Sequence, residues 1–423
     1  MTDNCVSQAR ARLSRATGAV FAALVVLSTA GISVHAKHAM SFVATDLGTL
    51  GSPQDGSTSE AFGVNDKGLV VGVSTLGSDP SVFHAFVWSE DAGLTDLGTL
   101  FDGTQSSATA ITNNGVIVGF GPAGAGGPIH AFVRTRANGL VDLTTLGGST
   151  STPTAIDAKG DVVGSSDLTG DNVFHAFLST RQDGIRDLGT LGGATSIANA
   201  ISDDRVVVGQ SATAPDNFPH AFLWTRHTDM VDLGTLGGLN SAAQAVGEDG
   251  VVAGSSQTTE MSNGQQISHA FVWTHRTGMV DIGDSGDAAG TGVASFGEKI
   301  NGRFVIGHFT KNNATHGFVW TRSRGLVDIG TLAGDTTSFV TGVNDQGLVV
   351  GNSIGGGSSR AFVWSASTGI TQLATPVGGS SRVNAITDNF IVGASCGADL
   401  ICHATLWKPA SHAHGGRGHD DDD

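Results

Sequence analysis

Histidine and aspartate recur along this chain at a fixed spacing, and both residue types can bind metals or move protons. A histidine opens the string His-Ala-Phe-Val/Leu-Trp-Thr, and an aspartate opens the string Asp-Leu-Gly-Thr-Leu-Gly-Gly. A histidine that donates to a carboxylate fixes its own tautomer, which serves structure as well as chemistry. The positions concerned are His84, His130, His175, His220, His269 and His316, with Asp96, Asp142, Asp187, Asp232, Asp281 and Asp328.

The spacing of these residues favours a structural role. Successive aspartate strings begin 44 to 50 residues apart, so each repeat supplies one histidine and one aspartate. Zinc needs its ligands about 2 Å from one centre, which ligands a whole repeat apart do not provide. We therefore predict that each histidine donates to a buried carboxylate on the neighbouring strand, and we expect no metal site and no cofactor.

Catalysis would require one repeat to carry groups that the others lack, because a single site needs asymmetry. No His-Glu-x-x-His string and no phosphate loop occurs, and tyrosine is absent. The sixth repeat departs most from the pattern: Asp284 and Asp287 interrupt its glycine-rich crossing, and Glu298 and Lys299 replace apolar residues of its first strand. A site confined to one repeat is predicted there first.

Variable loops separate the second and third strands of each repeat, and they supply candidate ligand-binding groups. A rigid ring with variable loops at one end is the usual geometry of a binding face, although loops also drift without function. The candidates are Asp167, Asp171, Asn172, Asp216, Asn217 and Glu260. Residues 167–172 have closely spaced oxygen ligands, which makes calcium a weak alternative.

Each repeat contains four short segments typical of strands, rich in β-branched residues and bounded by Gly, Asp, Asn or Ser. Four antiparallel strands at this period predict an all-β protein, an eight-bladed β-propeller. The first recognisable element, residues 42–50, is a lone fourth strand, and the last repeat lacks a fourth strand. We therefore predict that the N-terminal strand completes the last blade and closes the ring; an irregular β-solenoid is the alternative.

The first 36 residues differ in composition from the rest. A basic start with Arg10, Arg12 and Arg15 precedes a short run of small and apolar residues that ends at Ala36. This layout predicts a signal peptide cleaved near Ala36, with a retained anchor as the alternative. The mature chain would carry 19 basic and 37 acidic residues, a formal charge of −18. Such a charge makes nucleic acid an improbable partner.

Residues 37–410 are predicted to form a single propeller domain, and residues 411–423, rich in His and Asp, a disordered tail. In an exported protein, Cys396 and Cys402 are predicted to form a disulfide, with two free thiols as the alternative. No later segment is apolar enough to cross a bilayer, so the processed protein is not expected to be integral to a membrane.

The paired strings resemble the bacterial HAF family of extracellular repeat proteins, named for the His-Ala-Phe triplet. The triplet is intact at residues 84–86, 130–132, 175–177, 220–222 and 269–271, and it is altered at His316-Gly317-Phe318, Arg360-Ala361-Phe362 and His403-Ala404-Thr405. The resemblance covers nearly all of the mature chain. It implies an exported repeat protein, with a propeller as the fold and no general activity.

Three functions remain open at this stage. The first is a non-catalytic, monomeric scaffold, secreted or periplasmic, that presents its variable loops to a protein or a glycan. The second is a secreted carbohydrate-active enzyme, hydrolase or lyase, with a site at the mouth of the central channel. The third is a structural component of the cell envelope. Acidic groups converging at the channel mouth would favour the enzyme, and scattered carboxylates would favour binding.

Overall fold

The computed structural model of this protein describes residues 41–52, 55–262, 264–283, 295–311 and 314–410. Within them the chain forms 32 strands arranged as eight antiparallel sheets of four. The predicted leader and tail, together with Asp284 and Asp287, lie outside the described residues. The described residues contain no helix with the length and hydropathy needed to span a membrane.

Strands are grouped by sheet, and each sheet is one blade. Blade 1 holds β2 (Ser59–Val64), β3 (Val70–Thr75), β4 (Phe83–Ser89) and β5 (Gly93–Asp96). Blade 2 holds β6 (Ser107–Ile111), β7 (Ile117–Pro122), β8 (Ile129–Thr135) and β9 (Gly139–Asp142). Blade 3 holds β10 (Gly147–Ile156), β11 (Val162–Leu168), β12 (Phe174–Thr180) and β13 (Gly184–Asp187). Blade 4 holds β14 (Gly192–Ile201), β15 (Val207–Thr213), β16 (Pro219–Thr225) and β17 (Asp229–Asp232).

The second half of the ring repeats this plan. Blade 5 holds β18 (Gly237–Val246), β19 (Val252–Ser262), β20 (Gln265–Thr274) and β21 (Gly278–Asp281). Blade 6 holds β22 (Ser295–Asn301), β23 (Phe304–Lys311), β24 (Ala314–Thr321) and β25 (Gly325–Asp328). Blade 7 holds β26 (Thr337–Val343), β27 (Val349–Gly355), β28 (Ser358–Ser365) and β29 (Gly369–Gln372). Blade 8 holds β30 (Ser380–Ile386), β31 (Ile391–Cys396), β32 (Cys402–Pro409) and β1 (Phe42–Asp46).

The N-terminal strand closes the ring, as predicted. Strand β1 pairs antiparallel with β32, with Phe42 opposite Pro409 and Asp46 opposite Thr405. The first strands of the blades contact one another in a complete cycle, because β30 of blade 8 contacts both β26 and β2. A closed cycle leaves no end blade exposed, so the β-solenoid is excluded. The eight-bladed propeller is confirmed.

Strand β1 is shorter than the predicted segment of residues 42–50. It ends at Asp46, because the Asp46 carboxylate accepts a hydrogen bond from the Gly48 backbone N–H at 2.8 Å. Gly48 has a φ of +76°, which glycine adopts without strain. The same local turn ends the fourth strand of blade 4 at Asp232, where the Gly234 N–H donates to the carboxylate at 2.7 Å.

The phenylalanine of the repeated triplet forms the core between blades. The seven phenylalanines at this position have no solvent exposure: Phe86, Phe132, Phe177, Phe222, Phe271, Phe318 and Phe362. Burying such a side chain contributes about 1.5–3 kcal/mol. The preceding residue must be small, because a Cβ at Gly317 would lie 2.6 Å from Cγ1 of Val340 in the next blade. Alanine or glycine at that position lets adjacent sheets approach.

In each blade, the second strand has a glycine where it pairs with a bulge in the first strand. In each of the eight blades, the pairing of the first two strands shifts by one residue. In blade 4 the shift falls between Ala198 and Ala200, opposite Gly209. A Cβ at Gly209 would lie 1.9 Å from the Ile197 carbonyl oxygen, so no side chain fits there.

The predicted disulfide between Cys396 and Cys402 is confirmed. The two residues lie opposite each other at the ends of β31 and β32, with an S–S distance of 1.99 Å. The bond encloses residues 397–401, the loop between the second and third strands of blade 8.

Candidate functional site

The two ends of the ring are built differently, and we name them by their connections. The loop face holds the loops between second and third strands and the crossings between blades. The turn face holds the tight turns between first and second strands and between third and fourth strands. The space enclosed by the first strands is the lumen.

The repeated histidines and aspartates pair at the loop face. In blade 3, His175 Nδ1 lies 2.9 Å from Asp187 Oδ2. The ionised carboxylate only accepts hydrogen bonds, so Nδ1 carries the proton. The other described pairs join His84 to Asp96, His130 to Asp142, His220 to Asp232, His269 to Asp281, His316 to Asp328 and, across the closing seam, His403 to Asp46.

One part of the prediction for these pairs is wrong, because the carboxylates are not buried. The exposed fraction of the aspartate side chain is 36–42% in six of the seven pairs, and it is 15% in Asp142. Each aspartate lies at the outermost strand and also accepts the backbone N–H two residues ahead, as in Gly189 to Asp187 at 2.7 Å. This geometry fixes the start of the crossing to the next blade.

Blade 7 replaces the pair by Arg360 and Gln372. The Arg360 guanidinium lies 2.8 Å from Oδ1 of Asp335 on the preceding crossing. Burial by itself would raise the pKa of Asp335, but hydrogen bonds from Arg360 and Ser353 outweigh it and lower the pKa. The altered triplet therefore keeps a contact with a crossing through a different ion pair.

A repeated serine that the sequence reading overlooked joins each blade to the next. In blade 4, Ser196 Oγ accepts the N–H of Ala176 in blade 3 at 2.8 Å and donates to the carbonyl of Gly189, in the crossing between the two blades, at 2.6 Å. All eight serines are buried: Ser59, Ser106, Ser151, Ser196, Ser241, Ser295, Ser338 and Ser381. Their period equals that of the histidines, and this was the signal available in the sequence.

Two strings, residues 351–355 and 393–397, match the Gly-x-Ser-x-Gly pattern of a nucleophile elbow. Both serines lie within second strands, and Ser353 and Ser395 have no solvent exposure. Ser353 Oγ accepts the N–H of Leu332 at 3.0 Å. An elbow needs a strand-to-turn-to-helix setting with an exposed hydroxyl, so these strings are structural.

The predicted loop residues lie on the loop face but do not meet at one point. Asp167 and Asp171 contact the first strand of their own blade, β10: Thr150 donates to Asp167 at 2.5 Å, and the Ser149 N–H donates to Asp171 at 2.6 Å. Asn217 accepts the N–H of Ala194 at 3.0 Å in the same way. Asn172 donates to the Gly170 carbonyl at 2.7 Å.

Asp216 is exposed in the loop between the second and third strands of blade 4, and Glu260 is exposed near the end of β19 in blade 5. Among the described residues, no group of three or more His, Cys, Asp or Glu side chains is arranged to hold a metal ion. The predicted carboxylates are therefore distributed over several blades of the loop face.

Exposed large apolar side chains concentrate on the loop face. Of the fourteen in the described part of the chain, nine lie there, in its loops and crossings or at the strand ends that adjoin them: Leu76, Phe101, Phe174, Phe218, Leu239, Met261, Ile354, Val377 and Leu400. Four others lie on outermost strands, and Phe339 lines the lumen. None of the fourteen lies on the turn face. The most exposed is Leu400 at 80%, followed by Phe101 at 65%.

Charge is also divided between the faces. By sequence, the loop face carries two basic residues, Lys311 and Arg360, whereas most arginines lie in turns of the opposite face. Exposed acids accompany the apolar residues on the loop face: Asp79, Asp102, Asp216, Glu260 and Asp399. Hydrogen bonds from Ser81 lower the pKa of Asp79, so this acid is fully ionised at neutral pH. The loop face is therefore both apolar and anionic.

The turn face joins neighbouring blades through polar turn residues. Asn65 donates from Nδ2 to the Thr112 carbonyl of the next blade at 3.0 Å. Asp157 occupies the corresponding position of blade 3 and is buried, and burial raises its pKa. Burial likewise raises the pKa of Glu248, which accepts the Asp203 N–H at 3.0 Å.

The lumen holds two groups of charged side chains. At the closing seam, Arg382 forms a two-point ion pair with Glu60, with N–O distances of 2.5 and 2.6 Å. In blade 6, Glu298 Oε1 lies 2.7 Å from His308 Nδ1. The His308 ring stacks on Phe296 at 5.0 Å.

The Phe339 ring meets the other side of His308 edge-on, with centroids 5.6 Å apart. A cavity of about 380 Å³ adjoins this group, lined by Gln244, Ser255, Phe296, Gly297, Glu298 and His308. This cluster around His308 does not by itself indicate a function. It lies at blade 6, the repeat in which the sequence predicted a single-repeat site.

The chain matches no protein-family model and no curated protein. Among solved structures it is similar to the β-propeller domain of the Trilobed protease from Pyrococcus furiosus, at 12% identity over 75% of this chain and 98% of that chain, with a TM-score of 0.49. It is also similar to virginiamycin B lyase from Staphylococcus aureus, at 12% identity over 87% of this chain and 100% of that chain, with a TM-score of 0.43. A third match is TolB from Acinetobacter baumannii, at 11% identity over 70% of this chain and 80% of that chain, with a TM-score of 0.33. At these values the matches carry no information on function.

Proposed function

We propose that this protein is an exported, non-catalytic scaffold that binds a protein partner through its loop face. The observation that carries the proposal is the one-sided distribution of exposed apolar side chains, nine on the loop face and none on the turn face of the described residues. Exposed apolar residues grouped on one side of a soluble protein mark interaction surfaces. Phenylalanine and methionine, both present here, are enriched at protein interfaces.

The charge of the loop face defines the chemistry of the partner. The exposed carboxylates surround the apolar residues, and Arg360, one of the two basic residues, is already paired with Asp335. Complementary charge steers association and excludes partners of like charge. The partner is therefore expected to present apolar side chains together with lysine or arginine.

A glycan is less suited to this face than a protein. Sugars bind on aromatic platforms, and the six tryptophans are buried or half-buried within the blades rather than exposed on the loop face. Five of the nine exposed apolar residues are aliphatic and one is methionine. Aliphatic side chains gain free energy against apolar protein surface, in proportion to the area that both remove from water.

Export is the second part of the proposal, and the disulfide between Cys396 and Cys402 supports it. Disulfides persist in oxidising compartments outside the cytosol. We expect the mature protein to begin at Lys37, which intact-mass measurement and N-terminal sequencing of protein from the native host would establish. A cytosolic protein that retains residues 1–36 and has both Cys396 and Cys402 as alkylatable thiols would contradict export.

Site-specific crosslinking tests the binding face. A photoreactive amino acid placed at Phe101 should form an adduct with one partner in envelope fractions, and the same group at His227 on the turn face should not. An adduct alone does not establish that the loop face binds the partner. The dissociation constant of the isolated partner is therefore measured with purified variants. Phe101→Ser combined with Leu400→Ser should weaken binding by at least about tenfold, since hot-spot residues each contribute more than about 1 kcal/mol.

The matched control is Arg226→Ser combined with His227→Ser on the turn face, which should leave the dissociation constant unchanged. Binding should also weaken as salt is raised, because the exposed carboxylates are screened. Equal losses from the two double variants, or adducts of equal yield from both faces, would overturn the assignment. If the protein binds a polysaccharide and forms no protein adduct, the partner is a glycan and not a protein.

A further inference from the structure

In three blades, the side chain three residues after the buried serine joins the first strand to that of the next blade. Each donates a hydrogen bond to a backbone carbonyl there. The links are Thr154 to Ala198 at 2.7 Å, Asn199 to Ala243 at 2.8 Å and Asn384 to Ala61 at 2.9 Å. Blade 6 has Glu298 at this position. An ionised carboxylate only accepts hydrogen bonds, so Glu298 cannot make the same link.

The facing residue of the second strand departs from the pattern as well. In blade 7 that residue is Asn352, which accepts the Val383 N–H of blade 8 at 2.8 Å and donates to the Val383 carbonyl at 3.1 Å. In blade 6 it is His308, which is paired opposite Phe296. His308 Nδ1 lies 2.7 Å from Oε1 of Glu298. Blade 6 therefore has two titratable groups in contact at positions where the other blades have neutral side chains.

Two carboxylates of the lumen have different counter-ions. Glu60 forms a two-point pair with Arg382, and a guanidinium is always charged in proteins. Glu298 contacts His308, and a histidine is charged only when it is protonated. Lys299 follows Glu298 in the chain, but its side chain does not line the adjoining cavity. The Glu298 side chain is 36% exposed, so a ligand can reach a carboxylate whose charge arginine does not neutralise.

The cavity beside Glu298 combines this charge with an aromatic ring. Its volume of about 380 Å³ is within the size range of small-molecule sites. Glu298, His308 and the Phe296 ring line it from blade 6, and Gln244 and Ser255 line it from blade 5. The face of an aromatic ring attracts a cation, and a carboxylate beside the ring adds to that attraction.

We propose that this cavity binds a small organic ammonium ion, with Glu298 as its counter-ion and the Phe296 ring in contact with its alkyl groups. A neutral ligand of the same shape would leave the carboxylate without a cation. A metal ion fits less well, because the described residues place no third His, Cys, Asp or Glu beside the pair. The proposal is separate from partner binding at the loop face, since it concerns lumen residues only.

Calorimetric titration of the purified protein tests the charge requirement. The probes are choline and 3,3-dimethylbutan-1-ol, which has the same shape with carbon in place of the charged nitrogen. Choline should bind at least about tenfold more tightly, because only the ammonium ion interacts with the Glu298 charge. Failure of choline to bind at millimolar concentrations, or equal affinity for the two probes, would overturn the proposal.

Glu298→Asn then separates ligand binding from structure. Asparagine occupies this position in blades 4 and 8, as Asn199 and Asn384, so the variant suits the ring and its melting temperature should not fall. Choline binding should weaken at least about tenfold, and binding of the alcohol should not change. The matched control is Glu260→Asn, at an exposed carboxylate outside the lumen, which should leave choline binding as it is. An unchanged choline affinity in Glu298→Asn would contradict the assigned counter-ion.

The position of the bound ion is tested independently of affinity. Choline should shift the ring-proton NMR signals of His308, which are assigned by their loss in His308→Asn, and should not shift those of His227 on the turn face. Phe296→Leu removes the ring and should weaken choline binding at least about twofold. Choline that binds without shifting the His308 signals would contradict the site. The titration and the choline-induced shifts are measured on the unaltered protein, so a variant that fails to fold leaves the test intact.

Discussion

Buried polar side chains link adjacent blades at both the loop face and the turn face, but the two faces differ in the apolar side chains they expose. At the loop face, buried serines such as Ser196 link adjacent blades, and at the turn face asparagines such as Asn344 do so. Yet, among the described residues, nine exposed large apolar side chains lie on the loop face and none lies on the turn face. The difference shows that the residues that hold the blades together are not the residues that form the exposed apolar surface, although both belong to the same repeat.

Backbone strain follows the same division. Of the eight non-glycine residues with positive φ in the described part of the chain, six lie on the loop face: Phe101, Asp102, Thr144, Asp171, Asn217 and Leu400. On the turn face, the positions of positive φ are mostly glycines, such as Gly115 and Gly139. Strained residues persist where the surrounding structure holds them, and they cluster at functional sites. The loop face thus has six described non-glycine residues with positive φ, whereas the turn face has two, Arg205 and Asp229.

The largest effects are expected from the blade-to-blade links, and a matched pair compares the two faces. Ser196→Ala removes the acceptor of the buried Ala176 N–H in the preceding blade. Asn344→Ala removes the donor to the Thr387 carbonyl of blade 8 and the acceptor of the buried Leu348 N–H in its own turn. Each should lower the free energy of unfolding by about 1–3 kcal/mol, measured by denaturant titration. A loss confined to one face would break the view that both are equally joined.

Asp157→Asn should stabilise the turn face at neutral pH. Burial raises the folded-state pKa of Asp157 above 3.8, so the folded state holds its proton more tightly than the unfolded state. Stability from this group is present below pH 3.8 and declines as the pH rises from 3.8 through the raised pKa. The melting temperature of the variant should therefore exceed that of the original protein at pH 7, with a smaller gain at pH 4.

Asparagine fits this position, because Asn65 and Asn344 occupy it in blades 1 and 7. A control, Asp66→Asn, changes an exposed acid of the same face, and its melting temperatures at pH 7 and pH 4 are measured beside those of Asp157→Asn. Equal gains at pH 7 and pH 4 for Asp157→Asn would mean that its ionisation does not matter.

Leu400→Gly should sharpen the contrast between stability and binding. Leu400 has a φ of +65° and is 80% exposed, so its side chain costs backbone free energy and gains little burial. Glycine relieves the strain, while its larger unfolded-state freedom offsets part of the gain. We expect a change in unfolding free energy within about 1 kcal/mol together with weaker partner binding. A loss of several kcal/mol would show that Leu400 is structural.

The smallest effect is expected at the histidine–aspartate pairs, despite their regularity. His175→Ala removes one pair whose aspartate is 41% exposed, and exposed ion pairs contribute about 0–1 kcal/mol. Asp187→Ala should cost more, because the carboxylate also accepts the Gly189 N–H that starts the crossing. Thermal unfolding of the two variants would rank them, and a larger loss from His175→Ala would contradict this order.

Much of the fold was predictable because the repeat is regular. The period of the two strings gave the blade count, and the unmatched segment beginning at Phe42 gave the closing strand. The length of that strand was not predictable from composition, since Asp46 ends it through a hydrogen bond to Gly48. The exposure of the repeated carboxylates was missed for a related reason: the position of the fourth strand at the rim is a tertiary property.

The candidate sites were less predictable. Blade 6 was singled out by Glu298 and Lys299, but their neighbour His308 was not, because its partner lies on another strand and its ring contact with Phe339 is in another blade. The loop carboxylates Asp167 and Asp171 suggested ligand binding, whereas the structure uses them to hold backbone N–H and hydroxyl groups. The chemical type of a loop residue does not reveal which backbone groups it must satisfy.

The seam between β1 and β32 has a kinetic consequence. His403 and Asp46 are 357 residues apart in the chain, so their contact closes almost the whole polypeptide. For a flexible chain, the length-dependent entropy of closing such a loop is about 5 kcal/mol, against about 2 kcal/mol for the 12-residue separation within other blades. We therefore expect blade 8 to form last, because β1 has no partner strand until β32, near the end of the chain, is available to pair with it.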